Sequence, residues 1–229
     1  MRGDSVSQET WTAVDRYITD LLVPADPALE AALRDSANAG LPHINVTPNL
    51  GKLLWMLARI QGSRNILEIG TLGGYSTIWL ARALPEDGKL VTLELDPKHA
   101  EIARKNIARA GLTDRIELRL GYALDSLARL QAERRGPFDL TFIDADKPNN
   151  SNYFQWALKL SRKGSIIIVD NVVRDGQVIN AASTDASVQG VRRFNDMLAA
   201  DTRVSATALQ TVGSKGYDGL AIALVTADP

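Results

Sequence analysis

From residue 65 to residue 170 the chain alternates short apolar runs with turns and amphipathic helical patterns. Strands that are apolar throughout are covered on both faces, and strands that alternate with helices form parallel sheets. The sequence therefore predicts an α/β fold. The predicted strands cover residues 66–69, 89–95, 116–120, 140–144 and 165–169, and the predicted helices cover residues 76–83, 98–110, 123–131 and 152–160.

Helical spacing of apolar residues also predicts helices ahead of the first strand. With 229 residues the chain is long enough for one large domain and short for two. We expect a single domain over residues 1–229, in which an N-terminal helical region, residues 1–62, precedes an α/β core, residues 63–229.

The pattern loosens after Asp170 into a loop rich in Ser, Asn and Gly over residues 174–190. A helix is predicted next, and two β-rich runs with a turn-like segment between them end the chain. The predicted helix covers residues 191–199, the two runs cover residues 203–211 and 220–225, and the turn covers residues 213–219.

Composition restricts the classes of binding partner and the cellular compartment that we expect for this chain. The 26 basic residues nearly balance the 27 acidic ones, so we expect neither nucleic acid nor a membrane surface as a partner, and favour small molecules or proteins. The absence of cysteine excludes disulfides, thiolate metal sites and a cysteine nucleophile. The polar N-terminus predicts no signal peptide, and no apolar run is long enough for a membrane span, so a cytoplasmic protein is predicted.

A glycine-rich turn follows the first predicted strand in the segment EIGTLGGYS. Gly70 lets the backbone approach a ligand closely, and Ser76 begins the next helix, whose free N–H groups attract an anionic group. This pattern predicts a nucleotide-type cofactor. Leu72 occupies the second glycine position of the dinucleotide fingerprint, which counts against NAD. Glu68 would repel a pyrophosphate but attract the amino group or sulfonium of S-adenosylmethionine (SAM), which is therefore the favoured cofactor.

A second carboxylate belongs to the same predicted site. Glu94 ends the second strand about 20 residues beyond the glycine turn, the separation at which a carboxylate accepts both hydroxyls of a ribose. Gly121 and Ala123, after the third strand, leave room for the adenine ring. A solvated charge at the strand end and glycines that serve only packing are the alternative interpretation.

Polar side chains also follow the fourth and fifth strands, in the segments FIDADK and VDN. Adjacent parallel strands would bring Asp144 and Lys147 close to Asp170 and Asn171. Three hard oxygen ligands suit Mg²⁺ and leave positions for substrate oxygens, and Lys147 could take the proton of the attacking hydroxyl. The alternative is that the two aspartates cap helices and that Lys147 neutralises them.

Five segments in this order resemble the cation-dependent small-molecule O-methyltransferases, which include the catechol and caffeoyl-CoA O-methyltransferases: VTPNLGKLL, ILEIGTLGGYS, VTLELDP, FIDADK and VDNVVRDG. The resemblance covers residues 11–225. It implies that Asp144, Asp170 and Asn171 bind the metal and that Lys147 is the catalytic lysine. The SAM contacts that it implies are Val46, Glu68, Gly70, Thr71, Ser76, Glu94, Ala123, Asp144 and Asp146.

The resemblance also implies a fold and an activity. The fold would be the Rossmann-like class I methyltransferase fold, a seven-stranded sheet that is parallel except for its last strand, with helices on both faces and extra N-terminal helices. The activity would be methyl transfer from SAM to one hydroxyl of a catechol-like vicinal diol, with Mg²⁺ as the divalent cation and Ca²⁺ or Mn²⁺ as alternatives. A homodimer is expected.

Three other functions stay open at this point. A relative of this kind could methylate a hydroxylated uridine in tRNA, although the near-neutral net charge argues against nucleic acid. A module that binds SAM without catalysis would need neither the metal ligands nor Lys147. An NAD-linked oxidoreductase lacks its glycine fingerprint here.

Two residue types near the predicted site have competing interpretations. Arg174 stands where plant caffeoyl-CoA enzymes carry tryptophan, which argues against a phenylpropanoid-CoA acceptor. We favour an exposed loop arginine, with an ion pair to an anionic substrate group as the alternative. His43 is interpreted as structural or solvated, with substrate or metal contact as the alternative, and no role is assigned to His99.

Overall fold

The computed structural model describes residues 7–228. Residues 1–6 lie outside the described residues. They are part of the polar N-terminus on which the prediction of no signal peptide is based. Two single turns of 3₁₀ helix occur at Lys147–Asn149 and Gln177–Ile179. The α-helices are α1 (Gln8–Leu22), α2 (Pro27–Asn38), α3 (Pro48–Gln61), α4 (Tyr75–Ala83), α5 (Pro97–Arg109), α6 (Ala123–Ala132), α7 (Asn150–Lys159) and α8 (Ala186–Ala200).

The strands form one seven-stranded sheet in the order β3-β2-β1-β4-β5-β7-β6. β1 to β5 are parallel, and β7 runs antiparallel to both of its neighbours. This is the predicted Rossmann-like fold, which is confirmed. The strands are β1 (Asn65–Ile69), β2 (Lys89–Glu94), β3 (Ile116–Leu120), β4 (Leu140–Ile143), β5 (Ile166–Asp170), β6 (Val204–Gly213) and β7 (Gly216–Val225).

Each face of the sheet packs a separate hydrophobic core. Because side chains alternate along a strand, Ile66 joins the core under α2 to α5, whereas Leu67 joins the core under α6 to α8. In the second core Phe154 of α7 and Phe194 of α8 pack edge to face at 5.6 Å between ring centroids. Burial on both faces explains why the central strands are apolar throughout.

The predicted signals for the start of α5 are confirmed. The Asp96 carboxylate accepts hydrogen bonds from the backbone N–H groups of Lys98 and His99, and Pro97 is the first helical residue. Among the predicted elements up to residue 170, every observed end lies within two residues of the predicted one.

The predicted turn over residues 213–219 is wrong. β6 and β7 form a long hairpin in which Gly213 pairs with Gly216, so that only Ser214 and Lys215 lie in the turn. Gly219 indicates close packing within a strand, because a Cβ there would lie 2.3 Å from the carbonyl oxygen of Leu209. The glycines that suggested a loop therefore belong to the strands: Gly213 ends β6, Gly216 begins β7 and Gly219 lies inside β7.

The predicted extent of the loop at residues 174–190 is also wrong at its end. α8 begins at Ala186, five residues before the predicted start, because the Asp185 carboxylate caps it by accepting the backbone N–H groups of Ser187 and Val188. Gly190, taken as a loop residue, lies inside the helix, where a Cβ would meet the carbonyl oxygen of Lys147 at 2.3 Å. The 3₁₀ turn at Gln177–Ile179 occupies part of the predicted loop.

Among residues 7–228, none of the helices combines the length and the apolar character that crossing a membrane requires. α1 has no buried residue, and it lies against the β6 strand and α3. The exposed apolar side chains that it carries are Val14, Tyr17, Ile18, Leu21 and Leu22.

Candidate active site

The carboxyl ends of β1, β2, β4 and β5 meet at one edge of the sheet, where the strand order reverses beside β1. In open α/β sheets this crevice is the usual ligand site. Gly70 makes the close approach of two turns possible there: its φ is +99°, and a Cβ would lie 2.0 Å from the carbonyl oxygen of Asp144. A glycine is therefore required where β1 passes β4.

A first cavity of about 870 Å³ opens at this edge. It collects most of the residues that the sequence assigned to the cofactor, from the ends of four strands, β1 to β4, and from the segment ahead of α3. Those that line it are Val46, Gly70, Thr71, Ser76, Glu94, Ala123, Asp144 and Asp146.

Glu68 is the exception, because it is fully buried and does not line the cavity. It lies beneath the glycine turn and accepts hydrogen bonds from the hydroxyls of Ser76 and Thr77 in α4 and of Thr92 in β2. The structure therefore places it to hold α4 against the sheet. Burial raises the pKa of Glu68 to about 7, although the three hydroxyl donors oppose this.

The raised pKa predicts a specific pH dependence of stability. The folded state binds the Glu68 proton more tightly than the unfolded state, so this contribution is fully present below about pH 4.5 and is lost as pH rises to about 7. Glu68→Gln should remove that loss. The free energy of unfolding can be measured with urea at pH 5, 6, 7 and 8. As the pH rises over this range, the free energy of unfolding of the variant should increase by roughly 2–3 kcal/mol relative to that of the wild type. A difference that is constant with pH would contradict this.

Glu94 is locked in place by backbone groups. One carboxylate oxygen accepts the N–H groups of Thr71 and Leu72, at 3.2 and 2.8 Å, and the other accepts those of Leu95 and Asp96, both at 2.9 Å. Such a carboxylate is preorganised, because no side-chain freedom remains to be lost when a ligand binds.

His99 also belongs to this cavity, which corrects the assignment of no role. It lines the cavity, and its Nδ1 lies 3.5 Å from Oε1 of Glu94. This contact joins the first turn of α5 to the end of β2, and the helical spacing of α5 alone does not show it. A histidine two residues after a helix-opening proline, just beyond a strand-end carboxylate, is the signal that could have found it.

A second cavity of about 1010 Å³ lies beside the first. Its walls come from α1, the segment before α3, the end of β5 and the β6–β7 turn, so it depends on parts of the chain that are far apart in sequence. Both cavities share five lining residues: Ile44, Asn45, Val46, Asn171 and Arg174. His43 lines the second cavity with an exposed side chain.

The predicted polar cluster lies where the cavities meet. Lys147 is buried, and its Nζ donates a hydrogen bond to Oδ1 of Asp144 at 2.9 Å. Asp144 lines the first cavity, Asp170 the second, and Asn171 both. Burial, followed by the nearby charge of Asp144, raises the pKa of Asp170 to about 7, while Lys147 opposes this. Two carboxylates thus share a site that one lysine only partly neutralises.

The donor set fits a hard divalent cation. Asp144, Asp170 and Asn171 would supply two carboxylates and one amide oxygen, the ligands that Mg²⁺ and Ca²⁺ prefer. In the part of the chain that the structure describes, no three His, Cys, Asp or Glu side chains form a metal-binding group. A cation here would relieve the repulsion between the two carboxylates.

The family model for O-methyltransferases matches residues 23–224 of this chain. The chain belongs to the O-methyltransferase family. A catechol O-methyltransferase of Niastella koreensis is 57% identical over 96% of this chain and 100% of that protein. The resemblance inferred from the sequence motifs is confirmed, and so is the assignment of an enzyme in the SAM-dependent O-methyltransferase class.

Two solved structures closely resemble this O-methyltransferase. The O-methyltransferase from Bacillus cereus in complex with SAH is 61% identical, with a TM-score of 0.95, and the match covers 96% of this chain and 100% of that one. TomG from Streptomyces achromogenes, an O-methyltransferase of tomaymycin synthesis in complex with SAM, is 52% identical, with a TM-score of 0.94 and 96% and 99% coverage.

In this O-methyltransferase the favoured interpretation of Arg174 as an exposed loop residue is wrong. Its side chain is only 33% exposed, and the residue lines both cavities. The backbone holds it there: its N–H donates to Oδ1 of Asp218 at 2.9 Å, and its φ is +55°. Loop sequence alone could not show this, because the restraint comes from β7.

Asp146 is restrained by two donors on the same wall. The Tyr153 hydroxyl donates to one oxygen of its carboxylate at 2.5 Å, and the Asn149 amide donates to the other at 2.6 Å. Burial and the neighbouring carboxylate raise the pKa of Tyr153. Tyr153 also lines the first cavity, and the sequence analysis missed it because it lies on the buried face of α7.

Proposed function

We propose that this O-methyltransferase transfers the methyl group of SAM to one hydroxyl of an aromatic vicinal diol with the help of a divalent cation. The observation that carries the proposal is the polar cluster at the boundary between the two cavities, where the Asp144–Lys147 ion pair lines the first cavity, Asp170 the second and Asn171 both. A methyl donor in one cavity and an acceptor in the other would meet at that boundary.

The first cavity is proposed to bind SAM. The preorganised Glu94 carboxylate would accept the ribose hydroxyls, and Gly70 would let the cofactor lie against the backbone of the β1 turn. The complexes with SAH and SAM formed by close relatives support this assignment. Val46, Thr71, Ser76, Ala123, Asp144 and Asp146 complete the proposed contact set.

The second cavity is proposed to bind the acceptor. Asp144, Asp170 and Asn171 would hold Mg²⁺, or Ca²⁺ or Mn²⁺ in its place, and the cation would supply Lewis acidity toward two neighbouring oxygens. In its neutral amine form, Lys147 would accept a hydrogen bond from the attacking hydroxyl and receive its proton, which it would release to solvent after methyl transfer; its Nζ is buried beside the proposed metal ligands. Rigid placement of both reactants would supply much of the rate enhancement.

One assay tests the proposal. We expect SAH to form from SAM with catechol and added Mg²⁺, and expect chelation to abolish it. Resorcinol and phenol are matched acceptors that lack the vicinal diol, and they should react at least about 100-fold more slowly. Equal turnover of resorcinol, or full activity in chelator, would contradict the proposed role of the cation. The homodimer implied by the resemblance stays a prediction.

A further inference from the structure

Two cationic side chains line the second cavity, which also carries the carboxylates of Asp15, Asp170 and Asp218. Arg174 follows the proposed metal ligands of β5, and Lys215 lies in the β6–β7 turn. The inference below rests on the proposed function, because it concerns the chemical class of the acceptor that this cavity binds.

The guanidinium of Arg174 retains unused hydrogen-bond donors. Its Nε is buried and has no hydrogen-bond partner among residues 7–228. The Asp218 carboxylate approaches Nη1 through Oδ2 at 4.0 Å, which is beyond hydrogen-bond distance, while its Oδ1 accepts the backbone N–H groups of Val173, Arg174 and Gly219. A buried donor without a partner is costly, so a ligand that satisfies it would gain affinity.

The backbone conformation at Arg174 fixes the direction in which its side chain leaves the main chain. Arg174 has a left-handed conformation with φ at +55°, and its neighbour Asp175 has φ at +53°. Such conformations are unfavourable for residues with a side chain and persist only where the surroundings impose them. Here the hydrogen bonds from β7 impose the conformation, which directs Arg174 to the boundary of the cavities.

Lys215 adds positive charge to the same cavity. The residue is exposed, and its Nζ donates to the backbone carbonyl oxygens of His43, at 3.2 Å, and Asn45. Carbonyl groups do not neutralise the lysine. Asp144 and Asp170 are near enough to interact with its charge, but in the proposed enzyme their charges are balanced by the cation.

We infer that the acceptor is an anionic vicinal diol, whose ring carries a carboxylate that Arg174 binds. Guanidinium and carboxylate match in geometry, since parallel N–H groups can donate to both oxygens. Lys215 strengthens the binding through its positive potential. A neutral catechol leaves the Arg174 donors unsatisfied, and an ammonium group offers them no acceptor.

Acceptors that differ only in charge test this inference. The probes are 3,4-dihydroxybenzoate, 3,4-dihydroxybenzamide and 3,4-dihydroxybenzylamine, with the propionate and propionamide homologues to extend the reach of the charged group. For the wild type we expect kcat/KM for one acid to exceed that for its amide about 10-fold or more, with the amine lowest. Arg174→Gln should bring the acid-to-amide ratio close to one, mainly through KM.

Controls separate this inference from the proposed function. Arg34→Gln removes a solvent-exposed guanidinium of α2 that forms an ion pair with Glu30, and it should leave the acid-to-amide ratio unchanged. Arg174→Lys keeps the charge without the planar fork and should retain part of the preference. If catechol is methylated but neither acid shows a preference that depends on Arg174, the inference is overturned and the proposed function stands. If no diol is methylated, both are overturned.

Discussion

Replacing Asp170 by alanine is expected to lower metal-dependent methyl transfer by at least about 100-fold. Asp170 is buried at the end of β5 and would be a ligand of the cation, so its loss leaves Asp144 and Asn171 as an incomplete set. The first cavity does not include Asp170. The dissociation constant for SAH, measured by calorimetry, should therefore change less than about 3-fold.

Two controls accompany the Asp170 variant. Asp114→Ala removes an exposed carboxylate ahead of β3 and should keep full activity. Thermal melting should show that Asp170→Ala remains folded, because the substitution removes a carboxylate that is repelled by Asp144 rather than one in a stabilising ion pair. If a folded variant lost SAH binding and turnover to the same extent, this would contradict the proposal that the first cavity binds SAM and the second binds the cation and the acceptor.

Replacing Lys147 by alanine is expected to lower kcat by about 10²- to 10⁴-fold, the usual contribution of a positioned proton acceptor. KM for the acceptor should change much less, because the cation ligands stay in place. Steady-state kinetics with saturating Mg²⁺ and SAM would measure both constants. An unchanged kcat would remove Lys147 from the mechanism.

Lys147→Arg distinguishes proton transfer from charge alone. Arginine preserves the positive charge beside Asp144, but it does not give up its proton in proteins, so it cannot serve as a base. We expect it to be nearly as slow as Lys147→Ala. An arginine variant with wild-type kcat would show that Lys147 acts only by neutralising Asp144.

The sequence determined the α/β architecture, because apolar runs that alternate with amphipathic helices can be buried only in a sheet covered on both faces. It also predicted where the candidate site residues lie, because residues that follow parallel strands are brought together at the carboxyl edge of the sheet. Asp144 and Lys147 after β4, with Asp170 and Asn171 at the end of β5, lie at that edge as predicted. The local cap at Asp96 was likewise visible in sequence.

Tertiary structure alone decided which side chains face a ligand. Glu68 and Glu94 both belong to strand ends with similar sequence signals, yet the alternation of β1 buries Glu68 under α4 while Glu94 lines the cavity. Arg174 and Lys215 approach one cavity because the β6–β7 hairpin folds back against β5. Contacts between segments distant along the chain leave no local pattern, so only the folded chain reveals them.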